Sequence, residues 1–362
     1  MIKIFADKLL PVMLVLLSLP LFFCGNAGAA ENQNALPRVV VLAVGGTIAG
    51  SGDTAARTTE YKAGVLPVSQ IIKSVPGINK IAVVTGEQIA NIDSAHMTNE
   101  IMLKLARRIN ALLKDNQADG IVVTHGTDTL EETAYFLNLV IRSDRPVVLT
   151  GSMRPATALS ADGQLNLYNA VVLAASYEAR GKGVLVAINE KIHGARDVTK
   201  THTTNVDTFR SPESGSLGFI LNGEVHFLNA TVKRHTAGSE FSTETIRKLP
   251  RVDILYGHAN DSGDLAEASL KAGARGIVIA GAGDGGIFPE TYAALKKARK
   301  KGVIIVRSTH VGSGYVAPCA DDEKDEFLTS QTLNPQKARI LLMLALTKTK
   351  NLKLIRRMFS EY

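Results

Sequence analysis

The chain has 362 residues, 45% of them hydrophobic, and a formal net charge of +7 from 41 Lys and Arg against 34 Asp and Glu. The positive charges form no long run, tryptophan is absent, and aromatic residues make up 5% of the chain. This composition argues against a nucleic-acid-binding protein, in which a concentrated basic surface and stacking aromatics are typical. It favours a soluble protein with two domains of ordinary size.

Residues 1–30 predict a secretory signal. A short basic region precedes the apolar segment Leu9–Phe23, and the small residues that follow allow cleavage after Ala29 or Ala30. The apolar segment is shorter than the ~20 residues of a membrane-spanning helix, which argues against an anchor. We therefore expect a periplasmic or secreted protein.

The two cysteines refine this expectation. Cys24 follows Phe23, which is too bulky for the small residue that precedes a lipidated cysteine. Without the signal the chain keeps only Cys319, so we expect no internal disulfide.

The stretch Val39–Gly50 predicts a buried strand that ends in a sharp turn at Gly45 and Gly46. Thr47 follows the turn, at the carboxyl end of the strand, where open α/β sheets bind their ligands. Thr47 is therefore a candidate nucleophile, although it can equally cap the next segment.

A loop and a helix follow this first unit. Residues 51–59 are rich in small polar residues and predict a mobile loop, at whose end Tyr61 is either a surface residue or a lid residue over the first turn. A second apolar run occupies Ile81–Thr85. Ser94 then precedes an amphipathic helix predicted at Asn99–Lys114.

The next strand–turn–helix unit carries the densest polar motif. A buried strand at Gly120–Thr124 leads into H-G-T-D-T-L-E-E, in which Thr129 and Glu132 match a capping box. Capping does not explain why Thr127 and Asp128 also stand at the end of the strand.

Alternating strands and helices continue, which predicts a mostly parallel sheet with helices on both faces. Strands are expected at Pro146–Thr150 and Gly183–Asn189, with a helix at Leu165–Ala179 between them. A polar loop containing Lys200 follows. The alternation breaks between residues 211 and 250, where only short strand-like pieces such as Val225–Leu228 occur.

We therefore divide the chain into an N-terminal α/β domain at 31–228, a linker at 229–251, and a smaller α/β domain of the flavodoxin or Rossmann type at 252–362. The strands and helices predicted in the second domain are Val252–Tyr256, Ala266–Ala272, Gly276–Ala280, Thr291–Lys300, Val303–Arg307 and Pro335–Leu346.

A glycine-rich run in the second domain offers a competing function. Gly281–Gly286 satisfies G-x-G-x-x-G after a predicted strand, which is the pattern of a dinucleotide-dependent oxidoreductase. Phe288 and Pro289, however, fall where the phosphate-binding helix should already run, and Arg307 stands where an acidic residue is expected. A simple turn is the favoured interpretation.

The polar residues at the strand ends suggest a catalytic cluster. If the carboxyl ends of these strands converge on one rim, Thr47, Thr127, Asp128 and Lys200 meet there. A lysine activates a threonine as a base only when it is neutral, and a neighbouring aspartate favours its ammonium form. A surface lysine is the alternative for Lys200.

Six segments in a fixed order connect these residues to a known family: V-G-G-T-I-A-G (44–50), I-V-V-T-H-G-T-D-T-L-E-E-T-A-Y-F-L (121–137), G-S-M-R-P (151–155), S-A-D-G (160–163), R-D-V-T-K (196–200) and L-N-P-Q-K-A-R (333–339). They resemble bacterial type II L-asparaginases and glutaminase-asparaginases, and the resemblance runs from about residue 38 to 362.

This resemblance implies hydrolysis of L-asparagine, and of L-glutamine in some members, through an acyl-enzyme on Thr47 that Tyr61 activates. It implies a second triad of Thr127, Asp128 and Lys200. It also implies a homotetramer without metal or cofactor.

The resemblance further implies how the substrate is held. Ser94, Thr127 and Asp128 would bind its α-carboxylate and α-amino groups, and Asn260 would reach the site from a neighbouring subunit.

Two positions depart from the family pattern. Ala95 stands where the family usually has Gln or Glu, and the segment 312–325 lacks the usual Glu, with Cys319 in the best-aligned stretch and Asp321 and Asp322 just beyond it. We expect weaker recognition of the α-amino group and an altered preference between the two amides, with Asp321 as a substitute. A periplasmic amino-acid binder without turnover is the remaining alternative.

Overall fold

The computed structural model describes residues 35–362, so the predicted signal at 1–30 lies outside the described part of the chain. The first part of the described chain forms ten strands: β1 (Arg38–Gly45), β2 (Val83–Ile92), β3 (Gly120–Thr124), β4 (Val147–Thr150), β5 (Val184–Ile188), β6 (Lys191–Gly194), β7 (Thr199–Lys200), β8 (Phe209–Arg210), β9 (Gly218–Leu221) and β10 (Glu224–Phe227). Its helices are α1 (Val68–Lys73), α2 (Asn99–Lys114), α3 (Leu130–Val140) and α4 (Gly163–Ala175).

The rest of the described chain forms the strands β11 (Val252–Tyr256), β12 (Gly276–Gly281), β13 (Ile304–Thr309) and β14 (Leu328–Thr329). Its helices are α5 (Asp264–Lys271), α6 (Pro289–Lys300), α7 (Ala320–Asp325), α8 (Pro335–Lys348) and α9 (Leu352–Glu361). No helix of residues 35–362 is long and apolar enough to cross a membrane.

The larger sheet has the strand order β10–β9–β6–β5–β4–β3–β1–β2. The pairings from β2 to β5 are parallel, and those of β5 with β6, β6 with β9, and β9 with β10 are antiparallel. A second sheet of four parallel strands, β11–β12–β13–β14, follows. The predicted mixed α/β fold with a larger first sheet is confirmed, while the domain boundaries at 228 and 252 stay a prediction.

The central strands of the larger sheet are buried on both faces. Along β1, alternate side chains enter two different hydrophobic clusters: Val40 and Leu42 pack with residues of α2 and α3, and Val41 packs with residues of α4. Burying each such side chain contributes roughly 1.5–3 kcal/mol. This explains the continuous apolar run, since a strand covered on both faces has no solvent side that would need polar residues.

The segment after the fifth strand differs from the prediction. It was expected to be a polar loop, but Lys191–Gly194 forms β6, antiparallel to β5, and Lys200 lies on β7 of a separate two-stranded sheet. The strand does not show an apolar pattern because one of its buried side chains, His193, is polar. The Nδ1 atom of His193 lies 2.9 Å from Ser211 Oγ. A polar side chain is tolerated inside a fold when it has such a partner.

Candidate active site

Two glycines bring the turns after β1 and β3 into backbone contact. A Cβ on Gly46, whose φ is +81°, would lie 2.2 Å from Gly126 Cα. A Cβ on Gly126 would in turn lie 2.7 Å from Ser94 Oγ. Because neither residue has a side chain, the three segments stack directly, and Thr47, Thr127 and Ser94 come to the same rim of the sheet.

The Thr47 side chain is buried and faces the phenol of Tyr61. Thr47 Oγ1 and the Tyr61 hydroxyl oxygen are 2.7 Å apart, and either atom can be the donor. Backbone hydrogen bonds of 3.1 and 3.0 Å between Ser51 and Lys62 fold the connecting loop back on itself. The Tyr61 ring lies over Gly50, where a Cβ would be 2.9 Å from the ring. The loop therefore places the phenol on the hydroxyl.

Lys200 joins the other two members of the predicted triad. Its Nζ donates hydrogen bonds to Thr127 Oγ1 at 2.9 Å and to Asp128 Oδ1 at 2.6 Å. The Lys200 side chain is 16% exposed, whereas that of Asp128 is 58% exposed. The lysine is thus covered, and the carboxylate stays open for a further cation.

Ser94 is attached to the same motif through its side chain and its backbone. Its buried hydroxyl accepts a hydrogen bond of 3.2 Å from the Asp128 N–H, and its carbonyl accepts one of 2.8 Å from Thr129 Oγ1. The predicted capping box is wrong, because the Thr129 side chain makes no capping hydrogen bond in α3. The Thr129 hydroxyl bonds the Ser94 carbonyl instead of a backbone N–H of the helix.

A histidine that the motif analysis did not select lies beneath these residues. The His125 ring is fully buried, with Nε2 2.9 Å from Thr133 Oγ1 and Nδ1 2.7 Å from the Gly126 carbonyl. Burial lowers the pKa of His125 to about 4, so the ring is neutral at pH 7. Its position directly before Gly126 was the available signal. It supports the turn that presents Thr127.

The residues expected on the far side of the pocket lie in three separate segments of the chain. Asn260 is exposed in the turn after β11, with φ +56°. Ala95 is exposed beside Ser94. Asp322 is buried in a 2.6 Å ion pair with Arg307. That pairing leaves the exposed Asp321 as the acidic candidate in this region.

The glycine-rich run after β12 forms a closed turn. Ala282 and Gly286 exchange two backbone hydrogen bonds, of 2.9 and 2.6 Å, and Arg307 lies against Gly285. Both N–H groups are therefore occupied within the turn, and a phosphate cradle would need such groups free. The dinucleotide alternative is not favoured. Across residues 35–362, no group of three His, Cys, Asp or Glu side chains is arranged to hold a metal ion.

The hydroxyl, carboxylate and lysine side chains gathered at the strand ends of this α/β fold are the groups with which a hydrolase attacks and splits an amide or ester bond. Residues 38–233 match the family model "Asparaginase, N-terminal", and residues 251–359 match "Glutaminase/Asparaginase C-terminal domain". The chain therefore belongs to the asparaginase family.

Individual relatives support the same assignment. The chain is 53% identical to L-asparaginase 2 of Bacillus subtilis, over 93% of this chain and 89% of that one. It is 48% identical to the glutaminase-asparaginase of Pseudomonas fluorescens, over 93% and 94%. The crystal structure of a probable cytoplasmic L-asparaginase from Campylobacter jejuni aligns with a TM-score of 0.89 at 52% identity, over 90% of this chain and 100% of that one.

Proposed function

We propose that the protein hydrolyses the side-chain amide of L-asparagine to L-aspartate and ammonia, with L-glutamine as a second substrate. The observation that carries this proposal is the 2.7 Å contact of Thr47 with Tyr61, on a turn that packs against the turn carrying Thr127 and Asp128. A hydroxyl needs a partner that takes its proton before it becomes a useful nucleophile, and the phenol is at the right distance.

In the first half of the proposed reaction, Thr47 Oγ attacks the carbonyl carbon of the side-chain amide. Tyr61 receives the proton of the hydroxyl while it passes its own phenol proton towards the leaving nitrogen. The carbon–nitrogen bond breaks, ammonia leaves, and an ester of the substrate with Thr47 remains. Backbone N–H groups at the strand ends are the candidate donors to the oxyanion.

In the second half, water attacks the ester. Thr127 Oγ1 accepts a hydrogen bond from Lys200, so its own proton is free to be donated and its remaining lone pair to receive one. Thr127 is therefore placed to orient the attacking water. The attack of this water breaks the ester, and one proton of the water goes to Thr47 Oγ. The acidic product is then released.

The zwitterionic end of the substrate needs one negative and one hydrogen-bond-donating partner. The open carboxylate of Asp128 suits the α-ammonium group. The buried Ser94 hydroxyl accepts from the Asp128 N–H, which leaves its proton for the α-carboxylate. Ala95 adds no polar atom here, and we propose that binding of both amides is weaker for this reason.

Ammonia release from L-asparagine and L-glutamine tests the proposed activity. We expect release by the wild type, its loss in Thr47→Ala, and its retention in Thr245→Ala, which removes an exposed threonine hydroxyl. Hydroxylamine should trap the ester as a hydroxamate in the wild type and in Thr245→Ala, and not in Thr47→Ala. Binding of aspartate without ammonia release would instead support the amino-acid binder.

We propose that Asn260 completes the site of a neighbouring subunit in a homotetramer, which agrees with its exposed position in the turn after β11. Mixed oligomers provide the test. Thr47→Ala and Asn260→Ala are each expected to be inactive, and co-assembly of the two should restore part of the activity, because some sites then receive both wild-type residues. A monomer in solution, or no restoration, contradicts the proposal.

We propose a periplasmic or secreted location from the signal pattern of residues 1–30, although the Campylobacter jejuni relative is named a probable cytoplasmic enzyme. Cell fractionation of the full chain and of a variant without residues 2–30 tests this. Equal cytoplasmic retention of both would contradict it.

A further inference from the structure

The segment L-N-P-Q-K-A-R at 333–339 has no role in the proposed chemistry, yet it carries a buried lysine. Lys337 lies in the first turn of α8, and Glu131 lies in the first turn of α3. The side chains of Lys337 and Glu131 are 2% and 6% exposed, and Lys337 Nζ is 3.3 Å from Glu131 Oε2. Helices α3 and α8 thus meet through a buried ion pair where they pack together.

Both charges of this pair also hold the strand that leads to Lys200. Lys337 Nζ donates to the carbonyl of Val198. Thr199 Oγ1 donates to Glu131 Oε1 at 3.1 Å. Val198 and Thr199 are the two residues directly before Lys200, so the ion pair fixes the backbone from which the lysine side chain starts.

The same carboxylate is attached to the other end of the triad. Glu131 lies at the start of α3, immediately after the turn that carries Thr127 and Asp128. Asn334, which caps α8, donates to Glu131 Oε2 at 2.8 Å and so satisfies its second oxygen. Glu131 is therefore connected both to the turn that carries Thr127 and to the strand that carries Lys200.

Lys200 has little other support from secondary structure. The strand β7 has two residues and pairs only with the two residues of β8. The lysine must nevertheless keep Nζ within 2.9 Å of Thr127 Oγ1. Catalytic geometry is sensitive at this scale, since a displacement of about 1 Å can lower a rate by about a hundredfold.

Stability alone is a poor explanation for the buried pair. Burial strips water from both charges, and replacement of a buried ion pair by apolar residues of similar volume is often neutral or stabilising. Desolvation lowers the pKa of Lys337, and the neighbouring Glu131 opposes that shift. The contacts to Val198 and Thr199 give the pair a geometric role that apolar residues would not fill.

We propose that Glu131 and Lys337 form a positioning device, with Thr199 as the link, that sets where Lys200 meets Thr127. This inference rests on the proposed function, in which Lys200, Thr127 and Asp128 act on the substrate. Glu131, Lys337 and Thr199 themselves are positioning residues and do not touch the substrate.

The sharpest test changes the link and leaves the ion pair intact. Thr199→Val removes the hydroxyl that bonds Glu131 and keeps the branched shape, whereas Thr199→Ser keeps the hydroxyl. Thr347→Val is the matched control, because Thr347 is also half-buried and bonds a backbone carbonyl, that of Leu344, within α8. Steady-state kinetics on L-asparagine and thermal unfolding are measured for the wild type and the three variants.

We expect Thr199→Val to lower kcat by about tenfold with little change in KM, because the lysine is displaced while substrate contacts remain. Thr199→Ser and Thr347→Val should keep the wild-type kcat, and the melting temperature of Thr199→Val should match that of Thr347→Val. A wild-type kcat in Thr199→Val, or a Thr199→Ser variant as slow as Thr199→Val, would overturn the proposal.

A second test removes the charges. Lys337→Met leaves the Glu131 carboxylate buried and unpaired and is expected to be strongly destabilised, whereas Lys337→Met combined with Glu131→Gln should fold, since no net charge is stranded. We expect the folded double variant to have a reduced kcat. Wild-type kcat in this variant refutes the positioning role, while activity in Thr47→Ala would instead refute the proposed function.

Discussion

The contact between the turns after β1 and β3 makes Gly46→Ala a decisive perturbation. The added Cβ would lie 2.2 Å from Gly126 Cα and 2.3 Å from Gly126 N, both backbone atoms that cannot rotate away. Ordinary contacts begin near 3.4 Å, so the two turns must separate by roughly 1 Å. Thr47 would then be displaced from Thr127.

Such a displacement should lower kcat for L-asparagine by about a hundredfold, equivalent to about 3 kcal/mol of activation free energy. Overpacking adds a loss of about 1–3 kcal/mol in the free energy of unfolding. Ammonia release and urea unfolding measure the two effects.

Gly77→Ala is the matched control for backbone strain. Gly77 has φ +75°, and a Cβ there meets nothing within 4 Å. The control should lose some stability and keep its kcat. A wild-type kcat in Gly46→Ala, or an equal loss of kcat in Gly77→Ala, would show that the contact between the two turns does not set the position of Thr47.

Three further predictions follow from the site and the core. Tyr61→Phe should lower kcat by about a hundredfold with unchanged melting temperature, because the ring still packs on Gly50; an undiminished kcat would contradict activation by the phenol. Ala95→Gln should lower KM for both amides, and an unchanged KM for both would reject the role assigned to this position. Burial lowers the pKa of His193 to about 4, so the unfolded chain binds an extra proton between pH 6.5 and pH 4. Stability should therefore fall on acidification by up to about 3 kcal/mol, and His193→Gln should flatten this dependence in urea unfolding.

The elements with strong local patterns were predictable. The apolar run of β1 is buried, the amphipathic pattern at Asn99–Lys114 forms α2 with the same bounds, and Gly120–Thr124 forms β3. In each case the pattern of apolar residues reflects which faces of the element are buried, and a few consecutive residues are enough to show it.

Other elements depended on partners far along the chain. A buried side chain of β6, His193, is polar and has its partner in the distant Ser211, so the strand shows no apolar pattern. Thr129 bonds Ser94 instead of capping its own helix, because that carbonyl is brought to it by the stacked glycines. A local pattern carries no information about such partners, so the strand was missed and the cap was assigned wrongly.

The fold class, the family and the residue types available for chemistry were readable from short stretches of sequence, because strand patterns and the T-D-T and G-G-T motifs are local. Tertiary structure alone decided the distances: Thr47 to Tyr61, Lys200 to Thr127 and Asp128, and Lys337 to Glu131. Residues distant in sequence meet only when sheet order, turn contact and helix packing are all in place. For this reason the proposed positioning role of Lys337 becomes visible only in the folded chain.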